Sequence, residues 1–400
     1  MDIDFAFRPD AGLPESAFAK LRQAGPVVWS DALNGWLVSS FDDAKTVLGD
    51  VKRFTMQGTP VAETLGGQAM LVDDTPFHHT VRAVWAKAVS REAITARSEE
   101  LERFAAQAIA TVRPRLEAGE TVDFIPVFRE FVMQFIASSF GVPRDKLAVF
   151  ERWSELSAET PALALPEGSP ERLRHDEARQ AVLALVAGQI ADRKRRMAAG
   201  EVCEDLTALM VAAEGREGIT AENVTDNLFN FILGAMDTTE KWLGNIMVKL
   251  YSDPDLLAEV SADRSLVEPF AEEVMRVHTV AQTVQRCVRE GGAELSGQKL
   301  HGGDAVFLML GAANRDPSEF SDPDRFDMHR RHGSHIGFGF AFHHCLGVNI
   351  ARQEARAFIS VLLDRLPLLR IVDVDWGNSW ALWGPRGLQV AIDGVSHAHG

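Results

Sequence analysis

The chain has 400 residues, of which 41 are Lys or Arg and 57 Asp or Glu, giving a formal net charge of -16 that argues against nucleic acid as a partner. No run of about eighteen apolar residues occurs, and the start Met1-Asp2-Ile3-Asp4-Phe5 has neither a basic nor an apolar leader region, so a cytoplasmic protein that does not enter a membrane is expected. Length alone suggests two or three domains, yet no Gly/Ser/Pro linker, repeat or low-complexity tract divides the chain, and one domain over residues 1–400, large enough to bury a cofactor, is predicted.

In chain order, the first informative stretch is Asp74-Thr75-Pro76-Phe77-His78-His79-Thr80-Val81-Arg82. Pro76 predicts a helix start, which sets His78 and Arg82 four apart on one face; His79, three from Arg82, competes for the same place. From Ala221 to Leu250, apolar residues at Val224, Leu228, Phe231, Ile232, Ala235 and Met236 predict a long buried helix. Its middle reads Gly234-Ala235-Met236-Asp237-Thr238-Thr239. Two small residues thin the helix so that a flat group can approach, and Thr238 can bond back to the carbonyl of Gly234 and loosen the turn. Asp237 and Thr238 also form an acid–alcohol pair suited to proton delivery, with a packing notch as the structural alternative.

A helix from about Leu266 carries Glu272-Glu273-Val274-Met275-Arg276, in which Glu273 and Arg276 face the same way one turn apart. As an ordinary surface pair it would contribute little. Further on, the run Phe338-Gly339-Phe340-Ala341-Phe342-His343-His344-Cys345-Leu346-Gly347 opens into an apolar-periodic helix, Val348 to Leu366. Backbone N–H groups and the positive end of a helix dipole favour a thiolate at Cys345, and a thiolate is a metal ligand. Glycines at 337, 339 and 347 let backbone approach a flat apolar object, while His343 could reach a carboxylate at its rim. These features suit haem iron with a cysteinate axial ligand; the alternative is a buried, inert cysteine ahead of a core helix.

The run from Phe338 to Gly347 resembles the haem-binding loop of the cytochrome P-450 family, with Ala341 where the family usually has glycine, so a slightly tighter loop is expected there. Residues 234–239 are similar to the family's oxygen-groove motif, with Gly and Ala in exchanged order. Together with the Glu-x-x-Arg and His/Arg motifs, the resemblance extends from about Ala24 to Val390. It implies a mainly α fold, a triangular helical domain with a small β-rich lobe. It also implies haem b (iron protoporphyrin IX) with Cys345 as metal ligand and His78, Arg82, Gly234, Ala235, Arg286, Phe338, His343 and Gly347 around the cofactor. Asp237 and Thr238 take the catalytic roles. Glu273, Arg276 and Arg325, the last from the meander Asp322-Pro323-Asp324-Arg325-Phe326-Asp327, form a buried structural triad.

The implied activity is a haem-thiolate monooxygenase, a monomer that inserts one atom of O2 into a small hydrophobic or aromatic substrate by hydroxylation or O-demethylation. Cys203 and Cys287 then leave no disulfide framework, in keeping with a reducing cytoplasm. The chain contains no flavin or iron–sulfur domain, so NAD(P)H electrons are expected through a separate ferredoxin or reductase. Such partners are usually acidic, and Arg330, Arg331 and Arg352 are the expected local basic patch. The resemblance lines the substrate pocket with Thr55 to Val72, with Phe229, Asn230 and Leu233, with Ala281 to Val284, and with a hairpin at Ser379 to Trp383 that includes Trp380. Residues 311–317 and 335–339 look like bacterial members acting on small aromatic acids and methoxy-arenes, while terpenoids, fatty acids and biosynthetic intermediates stay open. Two rival readings are a haem-thiolate biosynthetic enzyme catalysing coupling, peroxygenation or isomerisation, and a non-enzymatic metal- or haem-binding protein using His329, His332, His335, His343, His344 and Cys345.

Overall fold

Helix starts follow local chemistry. Ser40 caps Phe41–Gly49 by accepting from Asp43 N at 3.2 Å, and Asp42 and Asp43 in its first turn complement the dipole. Ser169 before Pro170 opens Pro170–Ala198, and Asp253 before Pro254 opens Pro254–Ala262. The computed structural model describes residues 15–59, 61–62, 68–146, 148–159, 166–330, 335–377 and 381–393. The fold is mainly helical with small sheets, as the resemblance implies. The predicted helices are found at Phe77–Ala86, Ala221–Tyr251, Val267–Val277 and Val348–Arg365, within a residue or so of the expected ends. Residues 378–380, with Ser379 and Trp380, lie outside the described residues, as do Arg331 and His332.

The chain divides into two compact units. The first comprises Met1–Phe54, Thr95–Phe131 and Thr238–Gly400. Its main sheet has the spatial order Val27–Ser30, Gly35–Val38, Ala305–Met309, Thr283–Val288, Phe54–Thr55. Gly35–Val38 runs antiparallel to Val27–Ser30 and parallel to Ala305–Met309. Gly35 is needed there, because a Cβ would sit 2.8 Å from the carbonyl oxygen of Ala305. Thr283–Val288 pairs antiparallel with Ala305–Met309 and sets Arg286 opposite Val306. One face of this sheet buries Val38, Phe41, Phe54, Val306, Leu308, Phe320 and Ile336 in a single cluster. In the same unit Phe358, on Val348–Arg365, meets the rings of Phe128 and Phe131, each at 5.2 Å, which anchors the helix that follows Cys345.

The second unit comprises Thr55–Ile94 and Val132–Asp237. Its aromatic core is built on the first half of the long helix: Phe231 packs on Trp85 at 5.0 Å and on Phe140 at 5.3 Å, and Phe229 on Trp153 at 5.1 Å. Trp85 donates its indole N–H to Leu206 O at 2.8 Å, so this large ring is buried without an orphaned donor. Asn223 and Asn227 hold the segment before the His78 helix: Asn227 Oδ1 accepts from Met70 N at 2.8 Å, and Asn223 Nδ2 donates to Gln68 O at 3.0 Å.

Candidate functional site

In the first unit the cysteine loop is a chain of tight turns. Gly339 N donates to Ile336 O at 2.9 Å, and Cys345 N donates back to Phe338 O at 2.9 Å. Closing that loop requires left-handed backbone twice, at Gly339 (φ 74) and at Ala341 (φ 52). The second explains the departure seen in the sequence: at 341 the chain needs a conformation that glycine adopts freely and alanine adopts at a cost of about 1 kcal/mol. Ala341–His343 then forms one 3-10 turn, and Gly347 N-caps the helix beginning at Val348. Gly337 is equally constrained, since a Cβ there would lie 2.7 Å from Met275 Cγ.

Beneath the loop lies a layer of charge and aromatic contacts. Phe338 meets Trp242 edge-on at 5.5 Å, and the Arg352 guanidinium sits 5.3 Å from its ring centroid. Arg352 grips Glu272 through two hydrogen bonds, of 2.9 and 2.7 Å, and His335 Nε2 reaches the same carboxylate at 3.2 Å. Burial pushes Glu272 up, but the hydrogen bonds and charges of His335 and Arg352 outweigh it and hold its pKa at about 2. Burial works against the Arg352 charge, yet Glu272, with Glu268 and Cys345 behind it, raises its pKa. Arg352 is therefore half-buried and paired with Glu272.

Glu273 and Arg276 form a fully buried pair at 2.7 and 2.9 Å. The third cation corrects the expectation. Arg325 is exposed and contributes only its carbonyl, which accepts from Arg276 Nη2 at 3.2 Å; the guanidinium that reaches Glu273 is that of Arg330, at 3.4 Å. Arg330 is also tied to Ser321 O and Asp322 O, so it pins the meander. Sequence reasoning missed Asn314, which has no exposed surface: its carbonyl accepts from Arg276 Nη1 at 2.9 Å, and its side-chain oxygen accepts from Ile336 N at 2.8 Å. Asn314 thus couples the Glu273 pair to the start of the cysteine loop.

Arg286 is 5% exposed on its strand, with Nη1 donating to Gln285 O at 2.8 Å. The segment ending in Trp383 lies beside this strand's entry: Gln282 N donates to Ala381 O at 2.9 Å and Trp383 N to Val280 O at 2.7 Å. Ala281 and Val284 are half-buried, whereas Trp383 is buried and stacked on Trp376 at 5.3 Å.

In the second unit the two neighbouring histidines differ in burial: His78 is 1% exposed, and His79 is exposed. Arg82, one turn on, is half-buried. On the long helix, Asn230, Leu233, Ala235 and Asp237 are half-buried and Gly234 is exposed, with nothing within 4 Å of where its Cβ would be. Helical backbone continues unbroken through residues 234–239. Phe229 is 1% exposed, against Trp153 and under the guanidinium of Arg179.

The histidine-rich rival finds no support in the geometry. His329 is paired with Glu259 at 2.8 Å and His335 with Glu272, and among the described residues no group of three or more His, Cys, Asp or Glu is arranged to hold a metal ion.

A loop that presents one cysteine ahead of a helix, within a mainly helical fold, has the donor that the haem-thiolate class requires. The cytochrome P-450 family pattern matches residues 12–374. The monooxygenase PikC of Streptomyces venezuelae is 29% identical over 422 residues, covering 97% of this chain and 92% of that relative. Among solved structures, CYP109E1 of Bacillus megaterium in complex with testosterone matches with a TM-score of 0.84 at 25% identity over 95% of this chain and 98% of that one. P-450BioI in complex with a hexadec-9Z-enoic acid ligated acyl carrier protein matches in fold with a TM-score of 0.86 at 23% identity, over 97% of this chain and all of that one. The chain belongs to the cytochrome P-450 family and is a monooxygenase acting with O2 on an organic substrate. Family membership implies haem. Within the first unit the residues fit such a group: a lone cysteine held by a glycine-cradled turn, and the buried guanidinium of Arg286, a cation suited to a carboxylate. Among the described residues no helix is long and apolar enough to cross a membrane.

Proposed function

We propose that Cys345 is the axial thiolate of haem b and that the enzyme hydroxylates or O-demethylates a hydrophobic substrate in the cytoplasm as a single functional domain. The observation that carries this reading is the backbone bond from Cys345 N to Phe338 O, which fixes the cysteine between two left-handed turns and the start of the helix at Val348. Backbone N–H groups at such a helix mouth favour thiolate over thiol. When bound, haem supplies the activation of dioxygen and the transfer of one oxygen atom.

The chain's own residues do the rest. Arg286, His343, His78 and Arg82 hold the two propionates, as cations or donors that meet a carboxylate. Gly234 and Ala235 keep the long helix thin where dioxygen is used, Phe338 and Gly347 shape the thiolate side, and Asp237 with Thr238 delivers protons to oxygen as it is reduced. Asn230 and Leu233, together with Ala281 and Val284, face the substrate, three apolar side chains and one amide that suit a largely hydrophobic ligand, as the testosterone named in the CYP109E1 complex is for that relative. Electrons come from NAD(P)H through a separate ferredoxin or reductase. Purified protein tests the assignment: haem-loaded wild type should give the red-shifted ferrous–CO Soret band of a cysteinate ligand, and Cys345→Ala should not.

A further inference from the structure

Two buried acids stand side by side on the helix Val267–Val277 in the first unit, and they serve different partners. Glu273, with Arg276 and Arg330, holds the meander and is coupled through Asn314 to the start of the cysteine loop. Glu272 instead takes both hydrogen bonds of Arg352, at 2.9 and 2.7 Å, and meets His335 Nε2 at 3.2 Å. Gly337 N donates to His335 Nδ1 at 3.2 Å, which fixes the ring and leaves Nε2 for Glu272. An ion pair this deep gains little stability over apolar side chains of the same size, because desolvation offsets the attraction. Its position is more informative. The Arg352 guanidinium lies 5.3 Å from the ring centroid of Phe338, the residue whose carbonyl accepts from Cys345 N at 2.9 Å. Cys345 is also within electrostatic reach of that guanidinium.

We propose that Glu272 and Arg352 are positioning residues that set how strongly the Cys345 thiolate donates to haem iron: Glu272 holds the guanidinium against the loop and cancels most of its field at the sulfur. Reduction adds one negative charge to iron and its ligands, so an uncancelled cation nearby favours the ferrous state and an uncancelled anion the ferric state. A cation also draws density away from the sulfur and weakens its push toward iron. The pair, bidentate and braced by His335, keeps both effects small, and the enzyme retains a strong thiolate donor beside a fixed arginine. This role rests on the reading of Cys345 as the axial ligand and deepens it.

The test uses haem-loaded full-length enzyme, a potentiometric titration of the ferric–ferrous couple, and the infrared C–O stretch of the ferrous–CO form. Glu272→Gln leaves the guanidinium charged and uncancelled. It should raise the ferrous-to-ferric ratio at a fixed potential about tenfold, an upward shift of about 59 mV for one electron, and move the C–O stretch to higher wavenumber as iron donates less to CO. Adding Arg352→Gln to that variant removes the cation and should return the ratio to within about threefold of wild type, whereas a purely structural role predicts further damage from the second change. Should Glu272→Gln fail to take up haem, Arg352→Gln alone decides, because Glu272, still braced by His335, should then lower the potential. An unchanged or lower potential in Glu272→Gln, an unmoved C–O stretch, a double variant as far from wild type as the single one, or an unchanged or raised potential in Arg352→Gln would overturn the proposal. If the wild type shows the red-shifted ferrous–CO band, only the tuning role has failed; absence of that band in haem-loaded wild type removes the underlying reading instead.

Discussion

Glu354 occupies a place where a carboxylate is expensive. It is 2% exposed on the helix that follows Cys345, and its carboxyl is hydrogen-bonded to Thr239, next to Thr238 on the long helix. Burial pushes its pKa from the ordinary 4.5 to about 8, against smaller opposing effects of the Thr239 hydroxyl and the Arg97 charge. At neutral pH the folded protein therefore keeps this side chain protonated while the unfolded chain ionises it. For an acid whose pKa is raised by folding, the native state binds the extra proton, so stability is highest below 4.5 and falls as pH rises, levelling off above about 8. The slope is about 1.4 kcal/mol per pH unit across that window, which integrates to roughly 4–5 kcal/mol. Glu354→Gln keeps the shape and the bond to Thr239 but cannot ionise. Urea denaturation of the haem-loaded protein, followed by helical circular dichroism from about pH 5.5 to about pH 8.5, should show the variant gaining on wild type by about 1 kcal/mol or more per unit. Parallel pH profiles for the two proteins would refute the reasoning, because they would mean that Glu354 is ionised in the fold and is stabilised by groups outside this account.

Glu272 behaves with the opposite sign: held at about 2 by His335 and Arg352, it stabilises the fold above its ordinary 4.5, and that contribution is lost as pH falls toward 2. Arg352→Met should therefore reduce stability near neutrality by about 1–3 kcal/mol and flatten the acid limb of the denaturation curve; an unchanged acid limb counts against the pair. Ala341→Gly should relieve the left-handed alanine in the cysteine loop and raise stability by up to about 1 kcal/mol, read as a higher Tm, whereas a lower Tm would mean that the strain is not there. Thr238→Ala should retain NAD(P)H consumption while diverting it to hydrogen peroxide, and tight coupling in that variant would remove Thr238 from proton delivery.

What could be read from the sequence was what local rules dictate. The long helix Ala221–Tyr251 follows from its apolar period, and the helix of His78 from Pro76, because period and proline act within a turn or two. Arg325 and Arg330 could not be told apart, since both lie in a meander whose course is set by backbone carbonyls accepting from Arg276 and Arg330, a long-range pattern without a sequence period. The burial of Phe229 could not be read from the sequence, because one helix buries apolar residues on more than one side, and only the packing of Trp153 against it shows that this side meets another helix. Glu354 did leave a signal that sequence reasoning passed over: between Ile350 and Phe358, spaced by four on a buried stripe, a carboxyl interrupts the apolar period. The need for positive φ at 341 was visible only as a departure from a glycine, and its cause lies in the turn that returns Cys345 N to Phe338 O.

The central claim is that Cys345 carries the haem iron, and the ferrous–CO spectrum of matched wild-type and Cys345→Ser preparations, each with its haem content measured, tests it most directly. The account predicts the red-shifted cysteinate band in wild type and its complete loss in the serine variant. A wild type that binds haem without that band, or a variant that keeps it, would contradict the account.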